Sequence, residues 1–509
     1  MIEERTILGP PGTGKTQTNS NLIRNCIEDG IEPEEIACVS FTRKAAQESR
    51  ERVGKDWGIK DASLPYFQTL HSMAFRSGGY KSSDVVQGAD LIAIGKALGI
   101  TFNATKSSEQ ESDFDTLGHS LGDLYMGVYQ LSRSLCISLE ECYRRTANYK
   151  LHWGELKRLV HSYENYKKVN GKIDFTDMIE EFVARGEPPN IEALFVDEAQ
   201  DLSTLQWEMI KVLRKNPRIQ IFTGDDDQAI MGFQGADVNA FLNATKDKEV
   251  LRKSYRLPSA VWGEAQRIVM KIQDRALKDW SPKEDKGSVR YHQNFWDVPL
   301  DEGEWCIMAR TNFIANIYAN MLREEGWVFS RNGQTSLPAK TYDAIISWEK
   351  LTKGEKVGIE ELRNVYGQMK VGEDYKKGSG PRSKAFLSLD PEQSIDISFA
   401  QDKLGLNWGK EDRWHKTLSK IDVDTKNYIL NALKRGDNVK NPRIKVSTIH
   451  SMKGGESDNI LVIPDLSYAS YKEYLRTPSI EHRVYYVAVT RAKQSLHIME
   501  PYTERYYEL

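Results

Sequence analysis

The sequence predicts an α/β fold with two parallel-sheet domains, each carrying a mainly helical insertion. Two observations lead to this prediction. Short apolar runs alternate with helical patterns in the first half of the chain, and the same alternation returns near its end. Such runs are typical of buried parallel strands. Two intervening segments lack this alternation and differ in composition. The length of 509 residues agrees with several domains, at roughly 100–200 residues per domain.

The elements of both α/β regions follow in order along the chain. The predicted strands of the first region are Thr6–Leu8, Ile36–Phe41, Ala193–Val196 and Ile219–Phe222, with helices over Gln17–Cys26 and Lys44–Val53. The predicted strands of the second region are Trp305–Ala309, Val446–Ile449 and Ile460–Ile463, with a helix over Glu481–Lys493. Two strands of the first region run into acidic clusters, which marks a sheet edge where ligands would lie.

The domain boundaries follow from where this alternation stops and resumes. The expected segments are the first α/β domain, 1–76 and 188–250; its Tyr- and Leu-rich helical insertion, 77–187; the second α/β domain, 251–338 and 442–509; and its Lys- and Gly-rich insertion, 339–441.

Composition narrows the class of protein but not its partner. The chain has 28% charged and 39% hydrophobic residues and a net charge of -3, which favours a packed protein and neither supports nor excludes nucleic-acid binding. The five Cys form no CxxC pair and no Cys/His cluster with zinc spacing, so no structural metal is expected. No apolar run approaches the roughly 18 residues of a membrane span. Without a signal peptide, we expect a cytoplasmic location, in a bacterium or, for a viral protein, in the host.

The stretch GPPGTGKT (Gly9–Thr16) matches the pattern G-x-x-x-x-G-K-[ST] in full, between a predicted strand and a predicted helix. In such a loop, backbone N–H groups turn inward and hold phosphates. Lys15 would reach the β- and γ-phosphates of ATP, and the Thr16 hydroxyl would bind Mg²⁺. A chance Gly-rich turn is the alternative, but it does not explain the strand–loop–helix context. The candidate ATP contacts are Gly9, Pro10, Pro11, Gly12, Thr13, Gly14, Lys15, Thr16 and Gln17.

The stretch FVDEAQD (Phe195–Asp201) places acids at the carboxyl end of a predicted strand. Asp197 suits the shell of a Mg²⁺ ion, and Glu198 suits a base that orients and deprotonates an attacking water. Acids at a strand end are often only a solvated turn. Their combination with the phosphate loop points to a nucleotide hydrolase.

These two motifs belong to an ordered set that runs from Gly9 to Ala492. The set resembles the motifs of the UvrD/Rep/PcrA helicases, subgroup A of superfamily 1, over nearly the whole chain. Each motif is modestly specific, but their occurrence in family order is highly specific. The other matching segments are VSFTRKAAQESRERV (Val39–Val53), TLHSMAFR (Thr69–Arg76), GDDDQ (Gly224–Gln228), SYR (Ser254–Arg256), STIHSMKGGESD (Ser447–Asp458) and VTRA (Val489–Ala492).

The resemblance implies two RecA-like P-loop motor domains and an ATP- and Mg²⁺-dependent DNA helicase that moves 3′ to 5′, with work in DNA repair or replication. It implies that Gln228 senses the γ-phosphate, and that Arg256 and Arg491 are arginine fingers from the second motor domain. A guanidinium fork suits the charge of a transferring phosphoryl group. Tyr255 would stack on adenine and Glu456 would bind the ribose. From the residues alone, the arginines could be surface ion pairs and Tyr255 a core aromatic.

The resemblance also implies contacts to single-stranded DNA, which proteins hold with stacked aromatics and a polar backbone track. Where the family has an aromatic-Gly-aromatic-Arg run, this chain has Met231-Gly232-Phe233-Gln234. One stacking platform is therefore softer and one cation is lost, which weakens the expected grip on the strand. The matching positions for DNA contacts are Phe41, Thr42, Thr69, His71, Phe233, Thr448 and His450.

The chain departs from the family pattern in two further places. The second insertion is smaller than usual, and only Met1–Leu8 precede the phosphate loop, without the glutamine that reads adenine in the family. Gln17 also stands where the family often has arginine. A natural shortening and a misassigned start codon both explain the short front end. Because stacking alone discriminates bases weakly, we expect a weaker preference for ATP over other nucleoside triphosphates.

Three functions are compatible with these observations. The first is a 3′-to-5′ motor on single-stranded DNA that unwinds tailed duplexes. The second is a DNA-stimulated ATPase that remodels protein–DNA complexes with little unwinding, favoured by the small insertion, Met231 and Gln234. The third is a nucleotide-dependent subunit of a repair, replication or defence complex with protein partners. The presence of Lys15, Glu198 and both arginines argues against an inactive ATPase.

Overall fold

A computed structural model describes residues 3–103, 120–146, 151–436 and 438–509 of the chain. The chain divides into two units. Unit 1 comprises Met1–Tyr291, Ile449–Glu456 and Leu466–Leu509, and unit 2 comprises His292–Thr448 and Ser457–Asp465. Both contain parallel strands and helices, which confirms the predicted α/β class. The domain bounds drawn from the sequence stay a prediction, and parts of 1–76, 77–187 and 339–441 lie outside the described residues.

Strands and helices alternate along most of the chain. The strands are β1 (Glu3–Leu8), β2 (Ile36–Ser40), β3 (Phe67–Thr69), β4 (Ala193–Asp197), β5 (Ile219–Gly224), β6 (Lys248–Val250), β7 (Ser288–His292), β8 (Trp305–Ala309), β9 (Phe329–Arg331), β10 (Gln334–Thr335), β11 (Val357–Gly358), β12 (Ser394–Ile395), β13 (Ile444–Thr448), β14 (Ser457–Val462) and β15 (Ala492–Met499). The helices are α1 (Lys15–Glu28), α2 (Arg43–Trp57), α3 (Leu70–Ser77), α4 (Gly88–Leu98), α5 (Leu121–Ser134), α6 (Leu139–Thr146), α7 (Trp153–Asn170), α8 (Phe175–Arg185), α9 (Thr204–Leu213), α10 (Val238–Leu242), α11 (Ser259–Val269), α12 (Asn312–Glu324), α13 (Ala339–Thr352), α14 (Ile359–Gly367), α15 (Lys384–Leu387), α16 (Ile397–Leu404), α17 (Trp414–Thr417), α18 (Val423–Arg435), α19 (Tyr468–Arg476) and α20 (Pro478–Val489).

Within the described residues, unit 1 holds a six-stranded sheet in the order β3-β2-β4-β5-β1-β6, with every adjacent pair parallel. The central strands are continuous apolar runs because both of their faces are covered, and Ala193–Val196 are fully buried. The register pairs Leu8 with Gly224 and Ser40 with Asp197, so the carboxyl ends of β1, β2, β4 and β5 lie along one edge. The strands predicted for this region are confirmed, with small shifts at their ends.

The predicted helix over Glu481–Lys493 is wrong at its carboxyl end. Helix α20 ends at Val489, and β15 begins at Ala492. The Thr490 hydroxyl donates to the carbonyl of Tyr486 at 2.8 Å and of Val487 at 3.1 Å, which satisfies carbonyls that a longer helix would use. Arg491 therefore lies in the short turn between the helix and the strand.

Helices α4–α8 of unit 1 form the expected helical segment between β3 and β4, and a buried ion network joins three of them. Arg133 of α5 pairs with Asp174 at 3.0 Å, with Asp177 at 2.5 Å and with Glu180 at 2.6 Å. Lys167 of α7 pairs with Asp174 at 3.0 Å and with Asp177 at 2.7 Å. The side chains of Arg133 and Asp174 are only 10% and 9% exposed, so each charge depends on its partners.

In unit 2, β9, β13, β8 and β14 are parallel neighbours in that order, and β10 pairs antiparallel with β9. The predicted strand Trp305–Ala309 matches β8, while β13 and β14 begin earlier and end one residue earlier than predicted. Helices α13–α18 pack around a core that includes Trp348, Tyr366 and Trp414. This segment corresponds to the predicted second insertion.

A separate observation concerns membranes. Among the helices that the structure describes, none combines the length and the apolar character needed to span a bilayer.

The ion network predicts a local weak point in stability. The substitution Arg133→Met keeps much of the side-chain volume but removes one of the two cations that pair with the buried Asp174 and Asp177, which costs up to about 3–5 kcal/mol. We expect the first thermal unfolding transition to move clearly to lower temperature. Arg144→Met is the matched control, because Arg144 is 75% exposed and, among the described residues, pairs with Glu140 on the surface of α6. Equal shifts for both variants would contradict the assignment.

Candidate active site

The loop between β1 and α1 lies at the carboxyl edge of the unit 1 sheet. The Gly9 N–H donates to the Gly224 carbonyl at 2.9 Å, which fixes the loop beside β5. Gly12 and Gly14 have φ values of 71° and 83°, in the left-handed region that glycine adopts without strain. A Cβ atom at Gly12 would lie 2.3 Å from Cβ of Arg256, so a side chain would not fit there.

The segment Ser254–Arg256 holds this loop from the other side. The Ser254 hydroxyl donates to the Pro11 carbonyl at 2.8 Å, and the Tyr255 N–H donates to the Gly12 carbonyl at 2.8 Å. Ser254 is fully buried, whereas Tyr255 is 73% exposed. Tyr255 is therefore not a core aromatic, and its ring stands in solvent next to the loop.

Asp197 ends β4 and Glu198 follows it, and the pKa values of the two carboxyl groups shift in opposite directions. Asp197 is buried; burial and the neighbouring Glu198 carboxylate raise the pKa of Asp197 to about 7, against the effect of Lys15. Glu198 has a φ of 51°, and its N–H donates to the Asp197 carboxylate at 3.1 Å. Burial opposes ionisation of Glu198, but the charges of Lys15, Lys453 and Arg491 and a bond from Gln200 lower its pKa. Glu198 is thus held ionised.

Gln200 connects the two acidic segments. Its Nε2 donates to the Glu198 carboxylate at 2.5 Å, and its Oε1 accepts from the Asp225 N–H at 3.0 Å. Gln200 is fully buried. The carboxyl ends of β4 and β5 are therefore joined through one side chain.

Gln228 and Arg491 are in direct contact. The Gln228 Nε2 donates to Asp225 at 2.7 Å, while its Oε1 accepts from the Arg491 guanidinium. Arg491 is 2% exposed and also donates to the Val487 carbonyl at 3.0 Å, so it is not a surface ion pair. Burial, together with the charge of Arg256, lowers the pKa of Arg491 to about 9.

Arg256 and Glu456 bind each other. The Nε and one terminal nitrogen of Arg256 both lie 2.7 Å from Oε2 of Glu456. The side chain of Arg256 is 19% exposed and that of Glu456 is 44% exposed. The two residues that were expected to contact the phosphates and the ribose thus form an ion pair at the rim of the site.

Sequence reasoning missed Lys453, Asp201 and Arg52. Lys453 pairs with Asp201 at 2.5 Å and donates to the Gln228 carbonyl at 2.7 Å. Burial raises the pKa of Asp201 to about 6, although Lys453 opposes the shift. Arg52 of α2 donates to the Gln17 side chain at 3.0 Å. Both basic residues lie inside matched motifs, but the sequence does not show that Lys453 reaches an acid 252 positions away.

These side chains surround a single cavity of about 560 Å³, a size within the range of small-molecule sites. Of the residues assigned from the sequence, Gly9 and Pro10 lie at the base of the loop and outside the lining. The assigned residues that line the cavity are Pro11, Gly12, Thr13, Gly14, Lys15, Thr16, Gln17, Phe41, Thr42, Asp197, Glu198, Gln228, Tyr255, Arg256, His450, Glu456 and Arg491.

The residues present suit a nucleoside triphosphate with Mg²⁺. A Cβ atom at Gly9 would lie 2.1 Å from Cγ of Lys15, so the cradle under the lysine tolerates only glycine. The Thr16 hydroxyl and the Asp197 carboxylate are the oxygen donors that Mg²⁺ prefers. The pKa of Asp197 is raised to about 7, and a cation bound beside this carboxylate would lower that pKa and keep the group ionised.

The positions assigned to DNA contact fall into two groups. Phe41, Thr42 and His450 line the cavity, and the Phe233 ring meets the His450 ring edge to face at 5.4 Å. The Thr42 hydroxyl also accepts the Ala45 N–H at 3.2 Å and caps α2. These four side chains belong to unit 1 and lie on neighbouring loops.

The remaining positions have other local environments. Thr69 is 3% exposed, and its hydroxyl accepts the Ser72 N–H at 3.2 Å to cap α3. The His71 ring packs edge to face on Phe175 at 5.9 Å. Thr448 ends β13 in unit 2 and is buried. Thr69 therefore stabilises a helix start, a role that the sequence pattern did not reveal.

Family comparison agrees with this geometry. A family model described as the UvrD/REP helicase N-terminal domain matches residues 3–249, and one described as the UvrD-like helicase C-terminal domain matches residues 300–501. The chain belongs to the UvrD/REP helicase family. The resemblance found in the sequence is confirmed, and the two matched ranges cover both α/β regions of this UvrD/REP chain.

Individual relatives are distant. This UvrD/REP chain is 26% identical to YjcD of Bacillus subtilis over 331 residues, which are 60% of the chain and 41% of that protein. It is 24% identical over 325 residues to a protein named ATP-dependent DNA helicase PcrA from Staphylococcus aureus, covering 59% of the chain and 42% of the relative. The chain thus spans about two fifths of the length of these relatives.

The Lys453–Asp201 pair predicts a pH-dependent loss of stability. Lys453→Met removes the cation beside Asp201, so the pKa of Asp201, already about 6, rises further. In the unfolded chain, Asp titrates near pH 3.9, so a raised folded pKa means that protonated Asp201 stabilises the folded state. This contribution to the free energy of unfolding is complete below about pH 3.9 and is lost as the pH rises through the folded pKa. The melting temperature of the variant should lie close to that of the parent near pH 5 and fall below it near pH 8.

The exposed Lys211, which pairs with Glu208 on α9, supplies the control variant Lys211→Met. The control should show the same small difference from the parent at both pH values. A Lys453→Met deficit that does not grow between the two pH values would contradict the assignment.

Proposed function

We propose that this chain hydrolyses ATP in the cavity and uses the energy to move 3′ to 5′ along single-stranded DNA and to separate duplex DNA. The observation that carries the proposal is the convergence of a phosphate-loop lysine, an ionised glutamate, a glutamine and two arginines on one cavity. Membership of the UvrD/REP family supports DNA as the substrate. The direction rests on the resemblance to the UvrD/Rep/PcrA subgroup.

In this proposal, the loop N–H groups and Lys15 bind the phosphates. Thr16 and Asp197 would hold Mg²⁺, which would supply positive charge beside the phosphate oxygens. Glu198 orients a water molecule and accepts its proton, and its lowered pKa keeps it ionised for that task. Arg491 and Arg256 stabilise the charge that spreads over the transferring phosphoryl group.

The Arg256–Glu456 ion pair gives nucleotide binding a second effect. Oε2 of Glu456 accepts both bonds from Arg256, so a ribose hydroxyl that donates to this carboxylate would compete with the ion pair. Arg256 would then be released toward the phosphates. Ribose recognition and delivery of an arginine are thereby joined in one step.

DNA contact begins a few residues after Gln228. Phe233 lies in the turn Gly232–Gln234 and packs on His450, which also lines the cavity. A change at Gln228 would therefore reach two proposed DNA-contacting rings along a short stretch of chain. Single-stranded and tailed duplex DNA are the proposed partners, in the cytoplasm and with possible protein partners in a DNA-processing complex.

One observation favours a second candidate, a DNA-stimulated ATPase that remodels protein–DNA complexes with little unwinding. Met231 is only 7% exposed, so the position that is aromatic in the family presents almost no surface to a base. Stacking contributes about 1–3 kcal/mol per base, so loss of one platform weakens the grip on the strand. Displacement of a bound protein without opening of duplex would favour this candidate.

The base assignment makes the first prediction for the activity. Glu198→Gln keeps the shape of the side chain but removes the proton acceptor, so DNA-stimulated ATP turnover should fall by about 10²- to 10⁴-fold. Binding of a fluorescent ATP analogue and of single-stranded DNA should be retained. The control is Glu284→Gln, because the Glu284 side chain is 95% exposed. Full turnover in Glu198→Gln would show that the base is another group.

The direction makes the second prediction. Strand displacement should occur on partial duplexes with a 3′ single-stranded tail and not on those with a 5′ tail, and it should require ATP. Lys15→Ala, which removes the phosphate contact, should abolish displacement from either substrate. Unwinding from 5′ tails alone would refute the polarity, and ATP hydrolysis without unwinding of either substrate would favour the second candidate.

A further inference from the structure

Three buried carboxylates meet directly after β5. Asp225, Asp226 and Asp227 are each 0% exposed, and one oxygen of each lies within 4.8 Å of the others. Three like charges so close together in a dry environment repel one another strongly. Their arrangement requires a cation.

Lys278 supplies that cation from the chain itself. Its Nζ lies 2.8 Å from Asp225 and 2.8 Å from Asp227, and it also bonds to Asp226. The side chain of Lys278 is 0% exposed. The ammonium group therefore occupies the position among the carboxylates that a bound metal ion would otherwise take.

The residues next to Lys278 complete the arrangement. Arg275 donates two bonds of 2.7 Å to the two oxygens of Asp227, and the Ala276 N–H donates to Asp226 at 2.7 Å. A short segment, 275–278, thus contacts all three acids. Both basic residues lie about fifty positions from the acids in sequence and contact them only through the fold.

The two oxygens of Asp225 have different partners. Oδ1 accepts from Lys278 at 2.8 Å and from the Asp227 N–H at 3.2 Å, whereas Oδ2 accepts from the Gln228 Nε2 at 2.7 Å. The Gln228 amide is thereby oriented with its Oε1 toward Arg491. A flipped amide would place oxygen against carboxylate and NH₂ against guanidinium, which are two repulsive contacts.

We propose that Lys278 is a positioning residue for ATP hydrolysis: it fixes the Asp225 carboxylate, which in turn orients the Gln228 amide toward Arg491. The inference rests on the proposed role of Gln228 at the γ-phosphate. Lys278 does not line the cavity, so among the described residues it acts through Asp225 and Gln228 and not on the nucleotide. It should therefore affect turnover more than nucleotide affinity.

The test is a double-mutant cycle that separates this role from simple stabilisation of the fold. Asp225→Asn is the central variant. Its side-chain oxygen stays toward the two donors at Oδ1, so its NH₂ group faces the Gln228 NH₂ group and the orienting bond is lost. We expect kcat for ATP to fall by about 10- to 100-fold, the scale of one bond to a charged group, while KM for ATP stays within about threefold.

Lys278→Arg keeps the positive charge but moves it away from the position of the Lys278 ammonium. It is preferred to Lys278→Met, which would leave the three carboxylates without the Lys278 charge. It should lower kcat in the same way. In the Gln228→Ala background, neither Asp225→Asn nor Lys278→Arg should lower kcat further, because the side chain that they orient is already gone. Asp247→Asn, at a side chain that is 70% exposed on the surface, is the control. Melting temperatures establish that each variant is folded.

The outcomes separate the two levels of inference. If Gln228→Ala turns over ATP at the parental rate, the proposed role of Gln228 fails, and the positioning role fails with it. Two other outcomes overturn only the positioning role. In the first, Gln228→Ala is impaired and Asp225→Asn and Lys278→Arg each lower kcat by the same factor in its background as in the parent. In the second, Asp225→Asn and Lys278→Arg each leave kcat of the parent unchanged. Loss of kcat that is absent in the Gln228→Ala background supports it.

Discussion

The carboxylates that follow β4 and β5 lie in a nearly dry environment at one edge of the unit 1 sheet, and cations from distant parts of the chain compensate them. Lys453 pairs with Asp201, Lys278 and Arg275 with the acids after β5, and Lys15 and Arg491 lower the pKa of Glu198. Removing either partner of such a pair leaves a buried charge, which costs several kcal/mol. The arrangement of the site depends on this compensation, because Asp225 holds the Gln228 side chain, which lines the cavity.

Local patterns in the sequence predict the sheet edge and the phosphate loop well. The strand ends, the Gly-rich loop and the acidic turns are set by residue type and spacing, so Asp197, Glu198 and Lys15 could be assigned without coordinates. The sequence assigned Gln228 and Arg491 to the same site through the family resemblance, but it did not predict that the two side chains are in direct contact. The ion pairs of Lys453 and Lys278 could not be predicted, because a charge shows its type in a sequence but not its tertiary partner. The cap formed by Thr69 was hidden for a similar reason, since a hydroxyl that caps a helix and one that binds a ligand look alike in sequence.

The arrangement of Arg256 and Arg491 explains why two arginines at one site need not be equivalent. Arg491 is almost fully buried, with its guanidinium held by carbonyls and by Gln228, and burial lowers its pKa. Its guanidinium is therefore held in one position beside the cavity. Arg256 is more exposed and is bound to a carboxylate at the rim. One guanidinium is thus fixed by burial and several hydrogen bonds, whereas the other is held at the rim by a single carboxylate.

A continuous packed route leads from the cavity to the helical segment of unit 1. Gln228 is followed by the turn Gly232–Gln234, in which Phe233 contacts His450. The next residue, Gly235, has a φ of 90°, and a Cβ atom there would lie 3.1 Å from Cβ of Ser134 at the end of α5. Ser134 follows Arg133, whose ion network joins α5 to α8. These close contacts leave little free space around the turn, and dense packing of this kind absorbs local displacements poorly. The turn that carries Phe233 is thus packed on one side against His450, which lines the cavity, and on the other against the end of α5.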